Sequence, residues 1–267
     1  MYSRPKKSLG QNFLTSIPAR IAIVASGEIL PSDTILEIGP GKGFLTKAIL
    51  ETGAHVVALE KDKDLLPLLS QNFSSEITSK HLTLIEGDVL EFDPTSYKLL
   101  STGYKLIANI PYYITGAILS HFLTNTCAPS MMVVLVQKEV AERVCARDKK
   151  ESLLSLSVKV YGDPKLVYRV NKGSFFPIPT VDSAVLQIKN ISKKNFTDEH
   201  HEAVFFKLIH AAFAHKRKFA ISNIQAIFTQ EDILSLFTEE NLSSKIRAED
   251  VPLASWIRIS SKIRSNL

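Results

Sequence analysis

The sequence has few of the residues that build disulfide frameworks or metal sites. Its 267 residues include only two cysteines, Cys127 and Cys145. Two cysteines cannot form a disulfide framework, and no cluster of histidine and cysteine has the spacing of a zinc site. We therefore expect inert thiols, a reducing compartment and no metal cofactor.

Long apolar segments are also absent. The longest unbroken apolar run is MMVVLV at 131–136, whereas a membrane span needs roughly 20 apolar residues. The basic N-terminus, MYSRPKKSLGQNFL, leads into no apolar segment of the signal-peptide type. The sequence therefore predicts a cytoplasmic protein that has no membrane-spanning helix.

Charged residues are present in ordinary amount, with a moderate positive surplus. The formal net charge is +5 at pH 7, which permits a polyanionic partner without requiring one. Basic residues gather in the tail 1–16 and in a second segment within the last quarter of the chain. The candidates for contact with such a partner are Arg4, Lys6, Lys7, Lys216, Arg217 and Lys218. The alternative is that these side chains only keep two surfaces solvated.

The first two thirds of the chain alternate short apolar runs with helical patterns. Apolar runs with little polar alternation, separated by helices, are typical of a parallel sheet covered on both faces. Two later runs, 165–170 and 183–189, are close enough in sequence to pair as an antiparallel addition at the sheet edge. The predicted parallel strands are TILEI (34–38), HVVALE (55–60), LTLIE (82–86), KLIAN (105–109) and MMVVLVQ (131–137).

The pattern changes near residue 190. A polar, turn-like segment, NISKKNFTDEH, is followed by helical patterns and by no further strand pattern. We therefore predict two domains. The first is an α/β domain over 1–190, which includes the basic tail, and the second is a small all-helical domain over 191–267.

A glycine-rich turn follows the first predicted strand. Gly39, Gly41 and Gly43 in GPGKG allow a sharp turn and the close approach of a ligand to the backbone. The spacing differs from the G-x-G-x-x-G of dinucleotide sites, and Glu37 stands just before it. A carboxylate there favours a cationic or amino-bearing ligand such as S-adenosylmethionine, which carries an ammonium and a sulfonium group. Taken alone, the turn is equally typical of a tight connection between a strand and a helix.

Acidic residues also follow the next two strands. Glu60 ends the second strand, where a carboxylate can accept hydrogen bonds from both ribose hydroxyls. Asp88 lies in the loop after the third strand, where it can accept a hydrogen bond from an adenine amine. Open α/β sheets bind ligands along the edge formed by the carboxyl ends of their strands. Three consecutive strand ends with ligand-type residues therefore indicate a nucleoside cofactor.

The fourth strand ends on the same edge, in Asn109-Ile110-Pro111-Tyr112. A planar base with an exocyclic amine needs hydrogen-bond acceptors and a flat surface on which to stack. Asn109 supplies a side-chain carbonyl, and the extended backbone before Pro111 can supply a main-chain carbonyl. Tyr112 can stack on the base. Two acceptors that hold the amine in line with a sulfonium would promote methyl transfer by proximity and electrostatics, without a strong base.

Together these motifs resemble those of class I S-adenosylmethionine-dependent adenine-N6 methyltransferases. The segments SLGQNFL (8–14), FFPIPTVDSAVLQI (175–188) and AFAHKRK (212–218) narrow the resemblance to the ribosomal RNA adenine dimethylase family. The resemblance spans nearly the whole chain and implies a Rossmann-like catalytic domain with a small helical C-terminal domain. It also implies N6,N6-dimethylation of adenosines in ribosomal RNA, with S-adenosyl-L-methionine as donor and S-adenosyl-L-homocysteine as product.

The resemblance further implies roles for individual residues. Asn12 and Leu14 would close over the cofactor, and Phe176 would clamp the target adenine opposite Tyr112, although composition alone places Phe176 in the core. The expected catalytic residues are Asn109, Ile110, Pro111, Tyr112 and Phe176. The expected cofactor-binding residues are Gln11, Asn12, Leu14, Gly39, Gly41, Glu60, Lys61, Asp88, Val89 and Asn109.

Two branches of the family fit. One modifies adjacent adenosines near the 3′ end of small-subunit (16S) RNA as a late assembly step, and the other modifies a large-subunit (23S) adenosine and confers macrolide-type resistance. Ile110 resembles the resistance branch, since the other usually has leucine there, and Tyr113 stands where asparagine is common. VDSAV (181–185) and AFAHKRK resemble the small-subunit branch. Leucine and isoleucine differ little in an apolar wall, so we favour the small subunit.

The expected partner is small-subunit ribosomal RNA within a preassembled small subunit, bound by a monomer. Two other classes of function stay open at this point. One is a nucleic-acid-binding transcription or assembly factor with little or no catalysis, which the intact Asn109 motif disfavours. The other is a nicotinamide-dependent oxidoreductase, which the glycine spacing disfavours.

Overall fold

A computed structural model of the chain describes residues 5–146, 149–229 and 232–263. The chain divides into two compact units. The first contains the residues up to Glu142 together with Gly162–Ile191, and the second contains Arg143–Tyr161 together with the residues from Ser192 onward.

The described residues form nine strands. All five predicted parallel strands have the predicted bounds, because each is an apolar run that ends at a polar or glycine-containing turn. The strands are β1 Phe13–Leu14, β2 Thr34–Ile38, β3 His55–Glu60, β4 Leu82–Glu86, β5 Lys105–Asn109, β6 Met131–Gln137, β7 Asp163–Val170, β8 Phe175–Phe176 and β9 Ser183–Lys189.

Seven of these strands form one sheet in the order β4-β3-β2-β5-β6-β9-β7. Strands β2 to β6 are parallel to one another, whereas β9 is antiparallel to both β6 and β7. The predicted parallel sheet and the antiparallel pair at its edge are therefore confirmed. Strands β1 and β8 pair antiparallel in a separate ladder, which the sequence analysis did not predict.

The helices of the described residues cover the sheet and build the second unit. Helix α1 packs against β6, β7 and β9, and α2 packs against β3. The helices are α1 Ile17–Ser26, α2 Phe44–Leu50, α3 Leu66–Asn72, α4 Ser74–Thr78, α5 Thr115–Leu123, α6 Lys138–Val144, α7 Leu153–Lys159, α8 Glu199–Phe213, α9 Ala220–Ile224, α10 Ile233–Glu239 and α11 Leu253–Lys262. Within the described ranges, no helix has the length and apolar character needed to cross a membrane.

The central strands are buried on both faces, as their mainly apolar sequences require. Residues 35–38 of β2 and 131–136 of β6 are all buried. Each large aliphatic side chain among them stabilises the fold by about 1.5–3 kcal/mol relative to an exposed one. The sheet is therefore a rigid base for the loops at its carboxyl edge.

The second unit contains a segment that the sequence analysis placed in the first domain. Helix α7 packs against α8, the Tyr161 hydroxyl donates to Glu202, and the Asn195 amide donates to the carbonyl of Val160 (2.6 Å). The segment Arg143–Tyr161 therefore belongs with the helices, and the chain passes between the units near residues 142 and 161 as well as near 191. Every described element after Ser192 is helical.

Candidate active site

The strand order reverses beside β2, and this reversal opens a crevice. Strand β2 pairs with β3 on one side and with β5 on the other, so the chain leaves β2 and β5 in opposite directions. Open α/β sheets bind ligands at such a point, outside the carboxyl ends of the strands. Ile38 is in register with Ala108. The glycine loop after Ile38 and the Asn109 motif therefore lie side by side.

A pocket of about 890 Å³, including its open mouth, lies at this edge of the sheet. A neighbouring groove, which we call the side groove, shares Asn109 and the glycine loop with this pocket and adds Leu14, Glu37 and Phe176. Asp88 lines neither of them. The predicted site residues that line the first pocket are Gln11, Asn12, Gly39, Gly41, Glu60, Lys61, Val89, Asn109, Ile110, Pro111 and Tyr112.

Glu60 ties the glycine loop to the end of β3. Its buried carboxylate accepts hydrogen bonds from the backbone N–H of Gly41 (3.0 Å) and of Asp62 (2.8 Å). Burial raises the pKa of Glu60, and the hydrogen bonds from the backbone oppose that rise. A carboxylate has more lone pairs than these two bonds use. Glu60 can therefore also accept hydrogen bonds from ligand hydroxyls.

Gly41 brings the backbone of the loop to the surface of the pocket. Its φ is +60°, a conformation that side-chain-bearing residues rarely adopt, and a Cβ there would lie 3.0 Å from the ring of Phe13. The Phe13 ring thus covers the loop at the position where only glycine fits. The Lys42 ammonium lies 5.0 Å from the centre of the same ring.

Glu37 has an unsatisfied oxygen inside the protein. The side chain is buried, and among the described residues Oε2 has no hydrogen-bond partner. Burial raises the pKa of Glu37 to about 8; the nearby Thr46 hydroxyl opposes this rise, and the charge of Glu60 adds to it. An unpartnered buried polar atom is unfavourable by about 1–3 kcal/mol. An amino-bearing ligand in the side groove would supply the missing donor, so Glu37 fits such a ligand.

Asp88 and Lys61 form an ion pair at the edge of the sheet. The Lys61 ammonium donates to Asp88 Oδ2 (2.6 Å), and the backbone N–H of Leu90 donates to Oδ1 (3.1 Å). The ion pair with Lys61 is the main reason why the pKa of Asp88 lies below its usual value. Lys61 lines the pocket, whereas Asp88 is not among the residues that line it.

The N-terminal segment orients the Asn109 side chain. Asn109 Nδ2 donates to the backbone carbonyl of Asn12 (3.0 Å). Since a carboxamide is planar, Oδ1 points away from Asn12, and no described residue donates a hydrogen bond to it. The carbonyl of Pro111 already accepts from the N–H of Ile114 (3.3 Å). The carbonyl of Ile110 is therefore the neighbouring main-chain group best suited to act as a second acceptor.

The two aromatic residues expected at the base site differ in how they are held. The hydroxyls of Tyr112 and Ser183 share a hydrogen bond (2.7 Å), and burial raises the pKa of the Tyr112 phenol. In β8 the side chains alternate, so that Phe175 is buried whereas Phe176 is 60% exposed at the side groove. This difference supports the assignment of Phe176 rather than Phe175 to the site.

The basic candidates have different surroundings. The Lys6 ammonium is paired with the carboxylates of Asp62 (2.5 Å) and Asp64 (2.6 Å), so it is held by the protein itself. Lys7 is exposed in a short 3-10 helix over Lys7–Leu9, and Arg4 lies outside the described residues. The remaining candidates occupy an exposed turn between α8 and α9: Lys216, Arg217 and Lys218.

The sequence analysis overlooked three residues of this site: Phe13, Asp62 and Ser183. Phe13 lies within the QNFL segment, and Asp62 follows Glu60 by two residues at the same strand end, so both stood beside a recognised position. Nothing in the sequence indicates the bond between Ser183 and Tyr112. In the described part of the chain, no group of three or more His, Cys, Asp or Glu residues could hold a metal ion.

The fold and the site together define a class I S-adenosylmethionine-dependent methyltransferase. The model of the ribosomal RNA adenine dimethylase family matches residues 2–265, and the chain belongs to this family. A ribosomal RNA small subunit methyltransferase A from Dehalococcoides mccartyi is 36% identical over 265 residues, which cover 98% of this chain and 90% of the relative. The predicted α/β fold class and the predicted enzyme class are thereby confirmed.

Two solved structures are similar in fold. A dimethyladenosine transferase from Plasmodium falciparum has a TM-score of 0.79 and 22% identity, and the match covers 92% of this chain and 95% of that one. The 23S rRNA methyltransferase ErmE has a TM-score of 0.75 and 20% identity, and the match covers 94% and 98%. Because both are similar to this chain, the fold alone does not distinguish between substrates.

Proposed function

We propose that this protein dimethylates N6 of two adjacent adenosines near the 3′ end of small-subunit ribosomal RNA, late in assembly of the subunit. The observation that carries the proposal is the orientation of Asn109. Its side-chain oxygen is left to accept a hydrogen bond where the pocket and the side groove meet. An exocyclic adenine amine is a donor that matches this acceptor. Family membership and the small-subunit enzyme from Dehalococcoides mccartyi support the class of RNA.

The residues of the first pocket and the side groove suit the cofactor. S-adenosylmethionine supplies an electrophilic methyl group on a sulfonium. Glu60 would hold the ribose, and the unpaired oxygen of Glu37 would hold the ammonium beside Gly39. We assign the adenine of the cofactor to Val89, which lines the pocket, and to Asp88, whose carboxylate would accept a hydrogen bond from the adenine amine in addition to the one from the Lys61 ammonium. Asn12 and Leu14 would close over the cofactor from the N-terminal side.

The chain prepares the target amine by position and hydrogen bonding. Asn109 Oδ1 and the carbonyl of Ile110 would accept both of its N–H bonds, which turns the nitrogen lone pair out of conjugation with the ring. Tyr112 and Phe176 would hold the base flat between them, as aromatic platforms do for extruded bases. Pro111 fixes the turn that carries the motif. This arrangement promotes transfer by proximity and by a preorganised electrostatic environment, without a general base.

The large-subunit alternative depends on Ile110. Its side chain is almost fully buried, so it forms part of an apolar wall beside the pocket that it lines. A change between leucine and isoleucine in such a wall affects packing by less than about 1.5 kcal/mol. Ile110 is therefore weak support for a different RNA substrate. A monomer that works in the cytoplasm on a preassembled small subunit completes the proposal.

The test is transfer of a labelled methyl group from S-adenosylmethionine to purified small subunits that lack the modification, and in parallel to large-subunit RNA. Naked small-subunit RNA is added to determine whether assembly is needed. The labelled nucleoside is identified by chromatography. We expect N6,N6-dimethyladenosine in the small subunits alone. Label in the large-subunit RNA would place the protein with the resistance branch, and no label in any RNA would reject the proposal.

A further inference from the structure

Asp62 is a buried carboxylate that the proposed reaction does not use. It follows β3 and is 1% exposed. Its Oδ1 accepts from the Lys6 ammonium (2.5 Å) and from the backbone N–H of Asp64 (3.1 Å), and its Oδ2 accepts from the Gln11 side-chain amide (2.7 Å). A buried carboxylate with this number of donors is committed to holding its partners.

The partners of Asp62 are bonded to each other. The Gln11 side-chain oxygen accepts from the backbone N–H of Lys6 (2.8 Å), so Gln11 uses one end of its amide for Lys6 and the other for Asp62. The three residues form a closed ring of hydrogen bonds. We call residues 6–14 the strap, because this ring fixes its first part to the sheet.

The strap continues directly to the catalytic motif. The residue after Gln11 is Asn12, whose backbone carbonyl accepts from Asn109 Nδ2 (3.0 Å). The following residue, Phe13, pairs with Phe176 in the ladder of β1 and β8. The carbonyl that sets the orientation of the Asn109 amide therefore lies one residue from the Asp62 ring and one residue from the aromatic side of the base site.

The hydrogen bonds of the ring keep Asp62 ionised and Lys6 protonated at neutral pH, so the ring stays closed. Burial tends to raise the pKa of Asp62, but the hydrogen bonds from Lys6 and Gln11 hold that pKa below its usual value. The same contacts with Asp62 and Asp64 raise the pKa of Lys6. The backbone N–H of Asp62 also donates to Glu60 (2.8 Å), so one loop carries both the ribose carboxylate and the attachment of the strap.

We propose that Asp62 is a positioning residue for methyl transfer: it anchors the strap through Lys6 and Gln11, so that the carbonyl of Asn12 holds the Asn109 amide with its oxygen toward the substrate. This inference rests on the proposed function. Without the anchor, the carbonyl of Asn12 no longer accepts from Asn109 Nδ2, and the Asn109 amide rotates between two orientations. In one of them its NH2 group, a donor, faces the substrate amine, which is also a donor.

The test uses two variants of the full-length protein that release the strap from opposite sides. Asp62→Ala removes the anchor, and the double variant Lys6→Ala with Gln11→Ala removes its partners while leaving the loop after β3 intact. Lys6→Arg is the conservative variant, because arginine keeps the pairing. Lys105→Ala is the matched control, since Lys105 forms a similar ion pair with Asp33 (2.7 Å) at the opposite end of β5.

Two readouts are needed. The first is hydrogen exchange of the peptide covering the strap in protein without cofactor, and the second is turnover at saturating cofactor and RNA. We expect faster exchange and a loss of kcat of about tenfold to a hundredfold in both releasing variants, with Lys6→Arg and Lys105→Ala close to the parent. Combining Asp62→Ala with the double variant should add no further loss, because all three residues act as one unit.

The outcomes separate this inference from the proposed function. Faster exchange of the strap with unchanged kcat, or unchanged exchange in both releasing variants, would overturn the role of Asp62. A kcat loss in Lys105→Ala as large as in the releasing variants would also overturn it. Absence of methyl transfer by the parent protein would instead reject the proposed function, while the exchange data would still decide whether Asp62 anchors the strap.

Discussion

Glu37 shows how burial converts one residue into a pH-dependent part of a binding site. Its carboxyl has a pKa of about 8 in the free protein, because the effect of burial outweighs the opposing effect of the Thr46 side chain and Glu60 lies nearby. It is therefore mostly protonated at neutral pH. An ammonium group beside it favours the ionised form, so binding of an amino-bearing cofactor releases a proton.

We predict that affinity for S-adenosylhomocysteine rises between about pH 6 and about pH 8 and then levels off, with a slope of up to about tenfold per pH unit. In Glu37→Gln this rise should disappear, and binding at the upper pH should be weaker than in the parent. Titration calorimetry in buffers of different ionisation enthalpy measures both the affinity and the released proton. An identical pH profile in Glu37→Gln would show that Glu37 does not face the cofactor.

The raised pKa of Glu37 also determines how the stability of the free protein changes with pH. Because the pKa of Glu37 is raised by folding, its protonated form stabilises the fold at low pH, and this contribution is lost as the pH rises through about 8. As the pH rises toward about 8, the contribution of Glu37 to fold stability therefore falls while its contribution to cofactor affinity rises. These opposite pH dependences distinguish a buried ligand-binding carboxyl from a structural ion pair.

Single residues were predictable where they stand at strand ends. Glu60 and Asn109 were singled out because the carboxyl ends of parallel strands meet at one edge, and both line the pocket. Asp62 was missed because its side-chain partners, Lys6 and Gln11, are 56 and 51 residues away in sequence. The pairing of Lys61 with Asp88 was missed for a similar reason, since sequence spacing does not show which carboxylate a long lysine side chain reaches.

At the scale of elements, the strand runs were read correctly and the short elements were not. Apolar runs of five to seven residues define β2 to β6, and burial on both faces makes such runs unambiguous. Strands β1 and β8 have only two residues each, too few for any periodicity. Residues 143–161, which contain α7, were counted in the first domain but group with the second unit, because the sequence pattern of a helix does not show which neighbours it packs against.

The turn into α2 gives a prediction for an element. Gly43 has a φ of +82°, and a Cβ there would lie 2.4 Å from the Phe73 ring. We predict that Gly43→Ala destabilises the protein by about 1–3 kcal/mol, through strained backbone and overpacking. Denaturant unfolding measures the change.

Gly116 is the matched control for Gly43. It lies in α5, and a Cβ there would have no neighbour within 4 Å. Gly116→Ala should therefore stabilise the protein by about 0.5–1 kcal/mol. Equal effects of the two substitutions would contradict the geometry described for the glycine loop.

At the scale of the whole molecule, the pocket and the exposed basic turn belong to different units of the chain. The first unit carries the pocket, and the exposed turn after α8 in the second unit carries adjacent basic side chains with no ion-pair partner among the described residues. Phosphate contacts give affinity without sequence information. The proposed RNA contact of the helical unit rests on this turn.

We predict that replacing Lys216, Arg217 and Lys218 together by alanine weakens RNA binding and flattens its dependence on salt by about one unit of slope per lost phosphate contact. The control removes equal charge elsewhere, at the exposed residues Lys98, Lys165 and Lys172. Binding is measured over a series of salt concentrations. The same slope in the parent and in the first variant would remove this turn from the RNA contact.

The central claim is that Asn109 makes a cofactor-binding sheet into an adenine-N6 methyltransferase, and its most direct test is turnover of Asn109→Ala on unmodified small subunits. Binding of S-adenosylhomocysteine and the thermal midpoint are measured in the same preparation. We predict a loss of kcat of about a hundredfold to a thousandfold, with the fold retained and with turnover reduced far more than the affinity for S-adenosylhomocysteine. Near-normal turnover of Asn109→Ala would contradict the account.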